Sequence, residues 1–235
     1  MTDNYGYNNN ELAIAWTNLG FVQKSLFGKR VKTILDSLNG QINFHTLTAL
    51  MGPSGAGKTT LLKCVNMRSN SNLTADTQMF VNKYTDLRTC FIMQSSDEHI
   101  LKGLTVSLCD DFEPLDINGN FDHNLNVRRI LSELLLEDCA DTCVQTCSGG
   151  EQKRLTVGLE LVQQNKPNLM CIDEPTSGLD SNAAELVIQC LRELSERHRM
   201  AIVTSIHQPN SLLLSMFDQL YVLSKGGHCV FAGRP

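Results

Sequence analysis

Gly52-Pro-Ser-Gly-Ala-Gly-Lys-Thr59 constrains the fold more than any other stretch of this chain. It fits G-x-x-x-x-G-K-[ST] at every position. It also follows a short apolar run, Leu47-Thr-Ala-Leu-Met51, and opens a helical pattern from Lys58 to about Met67. Strand, glycine loop and helix in that order form a phosphate cradle. Glycines at 52, 55 and 57 let the backbone curl so that successive N–H groups point inward, reinforced by the helix N-terminus. Lys58 would reach the β- and γ-phosphates, and the Thr59 hydroxyl would ligate Mg²⁺. Gly52, Pro53, Ser54, Gly55, Ala56, Gly57, Lys58, Thr59 and the adjoining Thr60 are therefore the candidate nucleotide-binding residues.

A second apolar run, Leu169-Met-Cys-Ile172, delivers two carboxylates, Asp173 and Glu174, at its end. In open α/β sheets the crevice at the carboxyl ends of the strands binds ligands. Asp173 would hold Mg²⁺, directly or through water, and Glu174 would polarise an attacking water. Cys90-Phe-Ile-Met93 and Ala201-Ile-Val-Thr204 are further buried-strand candidates, with helices between, the clearest running from Ser181 to Arg197 behind a serine cap. Apolar strands alternating with helices predict a mostly parallel sheet covered on both faces. Leu12–Trp16 and Gly20–Gln23 have strand character, Gly40–Phe44 is punctuated as a turn, and the three together suggest an antiparallel layer. Gly226-Gly227 between Tyr221-Val-Leu-Ser224 and His228-Cys-Val-Phe231 predicts a hairpin. The stretch 95–147 is irregular around one amphipathic helix, Val127 to Glu137, and reads as a helical lobe inserted into a core made of 1–94 and 148–235. The expected fold is α/β: a P-loop NTPase core with an antiparallel β layer and an inserted helical subdomain.

The 235 residues suit one domain, and a net charge of −5 offers no basic field for nucleic acid. The start lacks a secretory signal, so the nine cysteines are expected to be reduced. Cys139, Cys143 and Cys147 recur at helical spacing. Without a histidine or fourth thiol at zinc-site spacing they read as buried thiols rather than a metal centre. The longest apolar stretch, Leu212–Phe217, is too short to span a bilayer, which predicts a soluble chain.

Cys147-Ser-Gly-Gly-Glu-Gln-Lys-Arg154 resembles the signature of ABC transporter nucleotide-binding domains, usually LSGGQ and here CSGGE. Gln94 matches that family's Q-loop, Ser177-Gly-Leu-Asp180 its D-loop, and His207 in Ser205-Ile-His-Gln-Pro209 its switch histidine. The motifs occur in the family's order. Asp173-Glu-Pro-Thr-Ser-Gly-Leu-Asp-Ser181 and Ile206-His-Gln-Pro209 are similar to the White, or G, subfamily of half-transporters. The resemblance implies ATP and Mg²⁺ as ligands and a head-to-tail pair of such domains, homo- or heterodimeric. In that pair Ser148, Gly149 and Gly150 of one copy would meet the γ-phosphate held by Lys58 of the other. Gln94 would sense Mg²⁺ and water, His207 would keep Glu174 and water aligned, and Asp180 would signal across the dimer. The subfamily places its membrane domain after the nucleotide-binding domain, so one is expected beyond Pro235, with this domain at the cytoplasmic face of a membrane, moving a lipid, a pigment precursor or another small hydrophobic substrate.

Two points depart from the family pattern. The lobe looks short, with Thr105-Val-Ser-Leu-Cys-Asp-Asp111 where its first helix normally starts, and Asp141–Cys147 approaches the signature in too few residues. A non-catalytic cassette that binds ATP and partners is therefore the alternative reading. Phe21, with Trp16 behind it, is the positional candidate for stacking on adenine. His45, His99, His123, His198 and His228 lack any such context.

Overall fold

The structure, a computed structural model, describes residues 11–24, 30–68, 71–94, 104–106 and 123–235. Two sheets organise it. The larger has six strands in the order β5 (Thr89–Ile92), β6 (Leu169–Ile172), β7 (Ala201–Ile206), β3 (Thr46–Met51), β8 (Gln219–Leu223) and β9 (Cys229–Gly233). All neighbours are parallel except β9, which closes the edge as the antiparallel arm of the expected hairpin. The smaller sheet is antiparallel, with β1 (Leu12–Lys24) between β2 (Arg30–Asn43) and β4 (Gln78–Val81).

The central strands are apolar without alternation because both of their faces are covered. β6 and β7 are buried at every position. Met170, Ile172, Ile202 and Ile206 enter one cluster, with helices α2 (His123–Glu133), α3 (Gly149–Leu161) and α4 (Ser181–Arg197). Leu169, Cys171, Ala201 and Val203 enter the other, beneath α1 (Lys58–Val65) and the antiparallel layer. A short helix α5 (Ser211–Ser215) precedes β8.

Register brings the functional motifs to one edge. Met51 pairs with Ile206, Ile172 with Thr204 and Ile92 with Ile172, so the strand ends that lead into Gly52, His207, Asp173 and Gln94 share the carboxyl side of the sheet.

Several local expectations need correction. Gly40–Asn43 is not a turn but the end of β2; Gly40 sits there because a Cβ would lie 2.5 Å from the Trp16 ring, and the turn falls at His45, with φ 62°. Leu12–Trp16 and Gly20–Gln23 are one strand, irregular around Asn18 at φ 50°. The lobe helix runs His123–Glu133 rather than Val127–Glu137. Leu135 turns left-handed at φ 54°, and Leu136 and Cys139 stay in the core through a 3-10 turn, which prolongs the apolar pattern past the helix end. The cap of α4 is Asp180, whose carboxylate accepts the N–H groups of Asn182 and Ala183 at 3.0 Å, and not a serine. Cys139 and Cys143–Cys147 lie in 3-10 turns and their flanks rather than on one helix. Most of 95–122, including the unusual lobe start after Val106, lies outside the described residues.

The β8–β9 turn is anchored by its second glycine. Gly227 is buried at φ 77°, its carbonyl accepts the Asp36 N–H at 3.0 Å, and a Cβ there would lie 1.9 Å from the Ile34 carbonyl oxygen. Gly227→Ala is expected to destabilise the fold by about 3 kcal/mol, through a forbidden contact combined with an unfavourable φ. Denaturant titration would show a lower midpoint; an unchanged midpoint would mean that the turn does not dock on β2.

Candidate nucleotide site

The loop Gly52–Gly57 connects β3 to α1, and its geometry follows from sterics. At Gly57, φ is 98° and a Cβ would lie 2.6 Å from Leu35, so only glycine fits. The N-terminus of α1 has no side-chain cap, which leaves its N–H groups without a side-chain acceptor, as an anion site requires. Lys58 is 7% exposed, and its ammonium folds back to donate to the carbonyls of Gly52 at 2.9 Å and Pro53 at 3.4 Å. Ser54, Gly55, Gly57, Lys58, Thr59, Thr60 and Glu174 line one pocket of about 560 Å³. Gly52, Pro53 and Ala56 are not among its lining residues; Ala56 is fully buried beneath the loop, where its N–H bonds to the Pro53 carbonyl.

The strand-end acids join this loop through a continuous set of hydrogen bonds. The Thr59 hydroxyl donates to Asp173 at 2.6 Å. Ser205, fully buried on β7, donates to the other Asp173 oxygen at 2.5 Å and accepts the Glu174 N–H at 2.9 Å. Gln94 donates its amide to the Glu174 carboxylate at 2.9 Å and lies 3.1 Å from the Ser177 hydroxyl. Glu174 itself is left-handed, at φ 50°, a conformation that costs a non-glycine residue roughly 1–3 kcal/mol and is concentrated at functional sites. Lys153, on α3, donates to the Gln94 carbonyl. Burial pushes its pKa down, while the nearby Glu174 charge opposes the shift.

The oxygen set formed by the Thr59 hydroxyl and Asp173 carboxylate suits a hard divalent cation such as Mg²⁺. The uncapped loop and Lys58 suit a polyphosphate. Lys32 and Lys225 add further positive charge to the same pocket, although the chain as a whole is acidic.

Other sequence candidates lie elsewhere. Ser148 caps α3 in a reciprocal box: its hydroxyl accepts the Glu151 N–H at 3.3 Å while the Glu151 carboxylate accepts the Ser148 N–H at 2.7 Å. Ser148, Gly149 and Gly150 do not line the pocket that contains Lys58. Asp180 is occupied as a helix cap. His207 is exposed, just past β7, and has no hydrogen-bond partner among the described residues. Phe21 and Trp16 are both buried in the core, 8% and 3% exposed, so neither presents a stacking face to the pocket. Burial also raises the thiol pKa values of Cys64 and Cys171 to about 12 and of Cys147 to about 11, which keeps these thiols protonated at neutral pH.

Sequence reasoning missed Ser205, although it lies two residues before His207, and the pocket residues Gln23, Lys32, Thr33, Ile34, Lys225 and Gly226. Ser205→Ala would leave one Asp173 oxygen and the Glu174 N–H unpaired. The expected cost is about 1–3 kcal/mol of stability, with turnover falling more than ATP affinity because both acids lose their orientation. Parallel melting and phosphate-release assays would test this; unchanged turnover would remove Ser205 from the account.

The comparisons with known proteins settle the family. Residues 35–177 match the family described as "ABC transporter". The chain belongs to this family. Its fold and family make it an ATP-binding cassette, an ATPase domain of the kind that powers transport. It is 35% identical over 231 residues to Multidrug resistance protein CDR2 of Candida albicans, covering 93% of this chain and 15% of that protein. It is 38% identical over 218 residues to ABC transporter G family member 25 of Arabidopsis thaliana, covering 86% of this chain and 32% of that protein. The cassette thus spans less than a third of these relatives' length. In fold it is similar to cbiO1 of Clostridium perfringens, part of the ABC transporter complex cbiONQ, with a TM-score of 0.76 at 19% identity over 96% of this chain and 89% of that one. It is also similar to the dimeric bacterial cassette MJ0796, with a TM-score of 0.70 at 21% identity over 94% and 98% of the two chains. Among the described residues no helix is long and apolar enough to cross a membrane.

Proposed function

We propose that the cassette hydrolyses magnesium-bound ATP between its phosphate loop and the Asp173–Glu174 strand end, as the nucleotide-binding domain of a G-subfamily transporter. The observation that carries this reading is the unbroken hydrogen-bonded path Thr59–Asp173–Ser205–Glu174–Gln94. The loop N–H groups and Lys58 hold the triphosphate. Thr59 and Asp173 are the residues that would hold Mg²⁺, and Gln94, at the β5 end, would add its amide oxygen. Magnesium, when bound, neutralises charge on the β- and γ-phosphate oxygens. Glu174, oriented by the Gln94 amide and by its own backbone bond to Ser205, accepts a hydrogen bond from water and draws off its proton as the water oxygen attacks the γ-phosphorus. The bond to the β–γ bridging oxygen breaks and ADP leaves.

Ser148, Gly149 and Gly150 serve a second copy. They start α3, where the N-terminus of a helix favours phosphate, yet they lie off their own chain's pocket. A head-to-tail pair, identical or related, brings them to the partner's γ-phosphate and completes each site. His207, exposed just past β7, and Asp180, at the start of α4, act at that junction. Residues 1–94 and 148–235 form the ATPase core and 95–147 the lobe that meets a transmembrane domain at the cytoplasmic face of a membrane. Identity of 34–38% to plant G-family members supports the subfamily, and with it a small hydrophobic transported substrate.

The experiment is phosphate release from ATP as a function of chain concentration. Turnover should require Mg²⁺ and rise more steeply than linearly at low concentration, because the working unit is a pair. Tight ATP binding without release at any concentration would instead favour a regulatory cassette.

A further inference from the structure

The cluster beneath α1 does not close up completely. Between the β1–β2 ribbon and the six-stranded sheet lies a cavity of about 400 Å³. Its inner wall is Leu50, Leu61, Leu62 and Val203, each no more than 4% exposed, and it opens to solvent where β2, β8 and β9 converge, around Gln219 and Ala232. Protein interiors rarely leave a void larger than a water molecule. A space of this size is in the range of small-molecule sites, and its inner aliphatic wall offers water few partners.

Two further features restrict the occupant. Among the described residues no charged side chain lines the cavity. Thr48, on the same face of β3 as Leu50 and in register with Val203 and Gln219, is 3% exposed, and its hydroxyl has no hydrogen-bond partner among the described residues. A buried hydroxyl left unpaired is an exception in folded proteins and calls for an explanation. An oxygen on a ligand seated against the Leu50 wall supplies one.

We propose that this cavity is a second ligand site, separate from the nucleotide pocket, for a small neutral amphiphile. The ligand is an apolar chain or ring with a single hydroxyl or carbonyl oxygen; that oxygen pairs with Thr48 Oγ1, and the body lies on Leu50, Leu62 and Val203. A charged head is excluded, since nothing in the lining compensates it.

Trp16, which lines the cavity and packs edge-on against Tyr221 with ring centroids 5.8 Å apart, is the chain's single tryptophan and reports on the site directly. Titration of the purified chain with decanol, followed by tryptophan emission, should give a saturable change and a raised melting temperature. Decanoate should bind more weakly. Thr48→Val should weaken decanol about two- to tenfold by removing one hydrogen bond. Ala232→Phe, an exposed change that blocks the mouth, should abolish the response. Both variants should keep ATP binding, which shows that they fold. A parent chain with no saturable response, as a water-filled space would give, overturns the proposal. So does a response that survives both substitutions, as nonspecific partitioning would, or decanoate binding as tightly as decanol.

Discussion

Replacing Glu174 by glutamine is expected to slow phosphate release by about a hundred- to ten-thousandfold, the usual contribution of a positioned general base. ATP binding should be nearly unchanged. The substitution keeps the side chain's size and its ability to accept the Gln94 amide, which lies 2.9 Å from the carboxylate. It leaves the backbone bond to Ser205 and the Thr59–Asp173 pair untouched. Only the capacity to take a proton from water is lost. The expected signature is therefore a fall in kcat without a rise in the ATP dissociation constant, together with an ATP-bound pair that dissociates slowly. Single-turnover phosphate release and equilibrium nucleotide titration measure the two quantities. Parent-like hydrolysis by the variant would place the general base elsewhere.

Lys58→Ala should have the opposite signature, loss of binding. Its ammonium is nearly buried and holds the Gly52 and Pro53 carbonyls, so the loop is already shaped around it before nucleotide enters. Truncation removes the nearly buried cation of the loop and frees the carbonyls that it held. Charge-assisted hydrogen bonds contribute about 1.5–3 kcal/mol each, so the loss of two contacts to phosphate corresponds to an affinity lower by about a hundredfold or more. Lys58→Arg should not rescue it, because a planar fork does not reproduce the compact ammonium that contacts the Gly52 and Pro53 carbonyls. Titration with a fluorescent ATP analogue would show the loss; unchanged affinity would mean that the triphosphate lies elsewhere.

The sequence made the phosphate loop, the Asp173–Glu174 strand end and α4 legible because each is local: an apolar run, a glycine pattern, a helical period. The pocket's remaining wall is not local. Lys225 and Gly226 reach it only because Gly227 docks on Ile34–Asp36, nearly two hundred residues away in sequence, and no short pattern announces that contact. Ser205 was hidden for a similar reason, since a serine in a fully buried strand has meaning only once β6 lies beside β7. Phe21 illustrates the converse. Its position on β1 suggested a stacking face, but the antiparallel layer turns it inward, against the core. The signature residues were legible through family resemblance alone. In the isolated chain Ser148 looks like an ordinary capping box, and its distance from the Lys58 pocket acquires a purpose only in a pair.

That pairing is the central claim, and mixing two inactive variants tests it most directly. Lys58→Ala retains an intact Ser148, and Ser148→Arg retains an intact Lys58; each alone should release almost no phosphate. Mixed in equal amounts, they form heterodimers in which one site combines the Lys58 of one chain with the Ser148 of the other, and phosphate release should return to a substantial fraction of the parent rate. A mixture as inactive as its components, with heterodimers demonstrably present, would contradict a shared site and return hydrolysis to the single chain.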